Sequence, residues 1–144
     1  ISGHSAGGHL VGMLAATDWP SLDSDCPTDL VKAGLAISGL MDLEPIRLCY
    51  LNDVLGMDAA TAHRNSPTLL DNHSAARVNC VYGSLEGEEY RRQSDSLASR
   101  WAHTSSRALP DHDHFSIAMQ LDDPGSELSL ELQGLMGLKD SDAV

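Results

Sequence analysis

The run Gly3-His4-Ser5-Ala6-Gly7, followed by Gly8, constrains this chain more than any other feature. It reads as G-x-S-x-G, a pattern in which a serine sits on a sharp turn between a strand and a helix. The serine backbone in such a turn is strained, so the residues two before and two after it are expected to be small for strand and helix to pack closely. Only Ile1 and Ser2 precede the motif, so almost all of the strand that feeds the turn is expected upstream of this sequence.

At 144 residues the chain is long enough for one domain with a real core. It lacks an initiator Met, and the turn lies at its start rather than near its middle. Both features lead us to expect that residues 1–144 are the C-terminal part of a longer domain. The formal net charge of −12 argues against nucleic acid and anionic membrane as partners, because both reward Lys and Arg clusters that the sequence lacks. A small-molecule substrate is the expected partner. Cys26, Cys49 and Cys80 are odd in number, widely spaced and without a C-x-x-C pattern, which fits a reduced, cytoplasmic protein. No apolar run approaches the length of a membrane span, and no signal peptide is visible.

Along the chain, Leu10, Val11, Met13 and Leu14 follow helical spacing, so the turn is expected to open a helix running to about Thr17. Residues 18–28 read as a loop, and Val31 to Leu40 as a buried parallel strand. Leu43, Ile46, Tyr50, Leu51, Val54 and Leu55 form a helical stripe with Pro45 in its first turn, and Asp58 can cap a short second helix. Arg77 to Tyr82 reads as a strand ending at Gly83, followed by a helix marked by Tyr90, Leu97 and Trp101, with its arginines toward water. A weak strand is expected around Ser106 to Leu109, and closing helices at Phe115 to Leu121 and Leu128 to Met136. Strands alternating with helices give an α/β fold with a parallel sheet flanked by helices.

A serine hydroxyl is a weak nucleophile until a histidine takes its proton, and the histidine must be oriented by a carboxylate. After a G-x-S-x-G turn the order along the chain is serine, then acid, then histidine. Of seven histidines, His114 lies beyond the last candidate strand, where the base must hang to reach Ser5. His112 is its near rival, and either could be a solvated loop histidine. The cluster Asp111-His112-Asp113-His114 also has metal-ligand residue types, but no H-E-x-x-H or similar frame completes it, so no metal or other cofactor is expected. For the acid, Glu86 directly follows the strand ending at Gly83. Asp42, after the preceding strand, is the contender, with a helix cap as its plainer role. Glu88 and Glu89 suit the start of the next helix. The developing oxyanion needs two or more backbone donors. Ala6 N–H, next after the serine, is one; the second normally comes from an upstream H-G-G loop, and no such run occurs in this sequence.

Gly3 to Leu10, Ile37-Ser38-Gly39-Leu40-Met41-Asp42-Leu43-Glu44-Pro45 and Arg64-Asn65-Ser66-Pro67 together resemble the arylformamidase (kynurenine formamidase) branch of the α/β-hydrolases. Gly83-Ser84-Leu85-Glu86, Tyr90-Arg91-Arg92-Gln93-Ser94 and His114-Phe115-Ser116 fall in the matching order. The resemblance runs from Ile1 to about Leu128 and implies the C-terminal part of an α/β-hydrolase fold. It implies hydrolysis of N-formylkynurenine or a similar formamide, a step of tryptophan catabolism, with Ser5 as nucleophile, Glu86 as acid, His114 as base and no metal. It allows a homodimer of the full-length protein. A carboxylesterase acting on short acyl esters shares every one of these residues, and an inactive fragment or non-catalytic interaction module is the alternative from another class. Trp101 to His114 looks shorter than in the family, which would truncate the last strand.

Overall fold

The computed structural model describes residues 1–138. Four parallel strands form one sheet in the order β1 (Ser2–His4), β2 (Ala33–Ile37), β3 (Arg77–Gly83) and β4 (Thr104–Leu109). Sequential order means that each strand returns to the side of its predecessor through a helical crossover, the arrangement that parallel pairing requires. β1 is at the sheet edge, with Ser2, Gly3 and His4 opposite Leu35, Ala36 and Ile37 of β2.

Strand alternation splits the core into two layers. On one face Ala36, Val78 and Cys80 pack against Val11 and Ala15 of α1 (Ala6–Ala16), and against Leu97 of α6 (Glu88–Arg100) and Trp101 just after it. On the other, Leu35, Ile37, Val81 and Leu109 meet Ile117 of α7 (Ser116–Met119) and Leu128 of α8 (Glu127–Leu135). Small residues set the closeness of the first layer. A Cβ on Gly34 would stand 2.6 Å from a Val11 methyl, and one on Gly8 would stand 2.7 Å from the Gly39 Cα.

The helices after the turn and after β3 lie where periodicity places them, and Asp58 caps α5 (Ala59–Arg64) by accepting the Thr61 N–H. Three stretches differ. Residues 18–28 contain a short helix, α2 (Trp19–Leu22). The stripe from Leu43 to Leu55 is two single turns, α3 (Glu44–Arg47) and α4 (Asn52–Leu55). Its Tyr50, Val54 and Leu55 stay exposed because no element among the described residues covers them, so the apolar spacing is not matched by burial. β4 begins at Thr104 and pairs with β3 over six residues, so the short spacing to His114 does not truncate the last strand.

Candidate active site

Ser5 is the single residue between β1 and α1, with φ 55° and ψ −115°. A β-carbon in this left-handed region crowds the backbone, a strain that persists only where the surroundings enforce it. Here they do: Ser5 N–H donates to the Ile37 carbonyl at 2.8 Å, and the Ser5 carbonyl accepts the His9 N–H at 3.1 Å. A Cβ on Gly3 would run into the Gly7 carbonyl, so Gly3 must be bare. Gly7 itself has open space where a Cβ would be. The expectation that both flanking glycines are needed for packing is corrected at Gly7: the close approach falls on Gly8 against Gly39. Ala6 N–H opens the eleven-residue α1, so it has no acceptor one turn earlier in the helix and points out beside Ser5.

Glu86 comes from the turn after β3. Its N–H donates to the Gly83 carbonyl at 3.0 Å, while its Oε2 accepts the Gly83 N–H at 2.6 Å and the Ser38 hydroxyl at 2.7 Å. The loop from β4 to α7 is seated on this turn. Leu85 N–H donates to the His112 carbonyl, Asp111 N–H donates to the Ser84 hydroxyl, and a Cβ on Gly83 would strike the His112 carbonyl. Asp113 then closes the loop by accepting the N–H groups of Ser116 at 2.8 Å and Phe115 at 2.9 Å. Those bonds, those to Ser116 foremost, hold its carboxyl below the usual aspartate range.

The outcome is a line of three side chains. His114 Nδ1–H donates to Glu86 Oε1 at 2.6 Å, which leaves Nε2 to accept the Ser5 hydroxyl at 3.1 Å. The Glu86 side chain is 1% exposed and that of His114 is 23% exposed, so the carboxylate is shielded from water while the imidazole reaches the surface beside Ser5. Around the imidazole stand the rings of His4, Tyr90 and Phe115, at centroid distances of 4.5, 4.8 and 5.5 Å. Burial pushes the Tyr90 hydroxyl up, and negative charge on Glu86 adds to this.

The other candidates lie elsewhere. Asp42 accepts the Glu44 N–H at the start of α3 and pairs with Arg92 at 2.9 Å. Glu88 and Glu89 bridge to Arg91 and Arg92 in the first turn of α6. His112 has a buried Nδ1 without a hydrogen-bond partner among the described residues, and no hydrogen bond joins it to Ser5 or Glu86. His9 is tied to the Asn65 carbonyl at 2.7 Å. Among the described residues no group of three or more His, Cys, Asp or Glu side chains is arranged to hold a metal ion, and no helix is long and apolar enough to cross a membrane. Two contributors carry no sequence signal of their own. Ser38 is an ordinary residue after a strand, and His4 fills a position that the turn pattern leaves open.

A parallel sheet, a strained serine between a strand and a helix, and an acid and a histidine hung from successive strand ends define an α/β-hydrolase. No protein-family model matches the chain. Kynurenine formamidases of Danio rerio and Salmo salar are 32% identical over 146 residues and 33% identical over 147, covering 95% of this chain and 49% of theirs. The chain thus spans about half the length of the curated relatives it matches. A candidate thioesterase of Silicibacter has a crystal structure that superposes with TM-score 0.79 at 29% identity, over 90% of this chain and 48% of that one. An esterase/lipase from an uncultured bacterium shares the fold at TM-score 0.63 and 16% identity, covering 95% and 53%. The chain is thus an α/β-hydrolase by fold, similar over 95% of its length to the kynurenine formamidases.

Proposed function

We propose that this chain carries the catalytic residues of an arylformamidase-type serine hydrolase that cleaves N-formylkynurenine or a similar N-formyl aryl amide. The single observation that supports this most is the unbroken line from Ser5 Oγ through His114 to the buried Glu86. In this reading His114 Nε2 removes the hydroxyl proton as Ser5 Oγ bonds to the formyl carbon. Ala6 N–H donates to the oxygen that gains negative charge. The same Nε2 proton then passes to the departing arylamine as the C–N bond breaks, leaving a formyl ester on Ser5. Water, deprotonated by His114, attacks that ester to release formate and restore the serine. Glu86 Oε1 holds the Nδ1–H throughout and stabilises the imidazolium. The substrate class comes from the formamidases, which resemble this chain over 95% of its length.

Esterase action on short acyl esters is the second reading, favoured by the esterase/lipase that shares the fold. Both reactions use the same atoms, so only relative rates separate them. With the intact protein, kcat/KM on N-formylkynurenine is expected to exceed that on p-nitrophenyl acetate; the reverse order assigns the site to esters.

A further inference from the structure

We infer that Ser38 is a positioning residue for the proton relay: its hydroxyl fixes the Glu86 carboxylate in the rotation that presents Oε1 to His114. The inference rests on the reading of Ser5, His114 and Glu86 as nucleophile, base and acid. Ser38 is fully buried, and its hydroxyl donates to Glu86 Oε2 at 2.7 Å. A carboxylate turns easily about its last torsion. Here two donors, Ser38 Oγ–H and Gly83 N–H, meet on Oε2, which leaves Oε1 for the His114 Nδ1–H.

The two donors are not equivalent. Gly83 belongs to the same turn as Glu86 and moves with it. Ser38 comes from the end of β2 and so ties the acid to the neighbouring strand. Its own N–H donates to the Val81 carbonyl of β3 at 2.8 Å, and the carbonyl just before it, that of Ile37, accepts the Ser5 N–H. The end of β2 therefore holds the nucleophile turn through its backbone and the acid through the next side chain. Ser38 also has φ 48°, a left-handed conformation that glycine would adopt without strain. At this strained, buried position the hydroxyl has the carboxylate as its one hydrogen-bond acceptor among the described residues.

The hydroxyl also acts on charge. By stabilising the Glu86 carboxylate it weakens the pull of Oε1 on the Nδ1 proton. The titratable groups that face the imidazole are Glu86, Tyr90 and His4. Losing the Ser38 donor makes Glu86 more basic, so the imidazole keeps its proton to higher pH and the acid limb of kcat/KM moves up.

Ser38→Ala and Ser38→Gly, each in the intact protein, separate this role from a merely structural one. Both lack the hydroxyl, but alanine retains the backbone strain and glycine relieves it. Both are expected to lower kcat roughly tenfold with KM within about twofold, and to move the acid limb of kcat/KM to higher pH. The low-field proton resonance of the His114 Nδ1–H is expected to shift or broaden in both, even where Ser38→Gly melts at or above the wild-type temperature. An unchanged resonance and acid limb in Ser38→Gly overturn the inference, as does a kcat that follows stability instead of the missing hydroxyl. The resonance is read without turnover. A wild type that hydrolyses nothing would therefore defeat the hydrolase reading, while the resonance would still decide whether Ser38 orders Glu86.

Discussion

His4 Nε2–H donates to the backbone carbonyl of His114 at 2.6 Å, and the two imidazoles lie 4.5 Å apart. The residue just before the serine thus grips the main chain of the proposed base and packs on its ring. His114 hangs from a loop, where geometry is easily lost, and this contact ties it back to the strand that delivers Ser5. Replacing His4 by alanine removes both the bond and the ring contact while leaving Ser5 and its turn in place. A displacement of the base by a fraction of an ångström to an ångström is expected to lower kcat roughly 10- to 100-fold with little change in KM. Steady-state kinetics check this, and a His4→Ala enzyme with wild-type kcat would show that the loop holds His114 unaided.

The acid assignment separates two carboxylates that both follow strands. Glu86→Gln keeps the shape but presents an amide to Nδ1, which favours the wrong imidazole tautomer, and a loss on the order of 10³- to 10⁴-fold in kcat is expected. Asp42→Asn weakens only a half-exposed ion pair with Arg92, so activity is expected to stay within about twofold. Comparing the two variants on one substrate decides between them, and the opposite ranking would move the acid to Asp42.

Packing at the turn predicts unequal glycines. Gly8→Ala brings a methyl against the backbone of Gly39 and Ile37, neither of which can swing aside, at a cost of roughly 1–3 kcal/mol in stability. Gly7→Ala meets open space and lies inside a helix, where alanine is favoured, so its stability is expected to be unchanged or slightly raised. Thermal melts of the two variants provide the comparison. Equal losses would contradict the close approach at Gly8.

Burial pushes the Cys80 thiol up to about 12 from its ordinary 9.0. A thiol kept neutral and out of solvent is a poor nucleophile, so Cys80 is expected to resist a thiol reagent in the native protein while the partly exposed Cys26 and Cys49 react. The sign for stability follows. The unfolded chain loses this proton first, so the contribution is complete below pH 9.0 and is lost as pH rises through about 12. Native labelling followed by peptide mapping tests the first point, and rapid modification of Cys80 without unfolding would refute it.

Much of the sheet is legible in the sequence, and so are the three side chains that the fold brings into one line. The turn motif announces itself because the chemistry of a strained serine dictates its neighbours. Glu86 and His114 stand out as candidates because each follows a strand, and strand ends are readable from apolar runs bounded by turns. What escapes is set by tertiary contact. Nothing local marks Ser38, whose acceptor is 48 residues away in sequence. Nor does anything local mark His4 as the clamp on a carbonyl 110 residues on. The stripe at residues 43–55 misleads for the converse reason. Its spacing suggests one helix with a covered face, yet Val54 is 90% exposed and the segment breaks after one turn.

The central claim is that Ser5 is a nucleophile activated by His114. The direct measurement is covalent labelling of the intact protein with a fluorophosphonate, followed by peptide mass spectrometry. The account predicts a single adduct on the peptide that begins the helix, at Ser5, abolished in Ser5→Ala and slowed by orders of magnitude in His114→Ala. An unlabelled protein, or an adduct on another residue with Ser5 untouched, would contradict it.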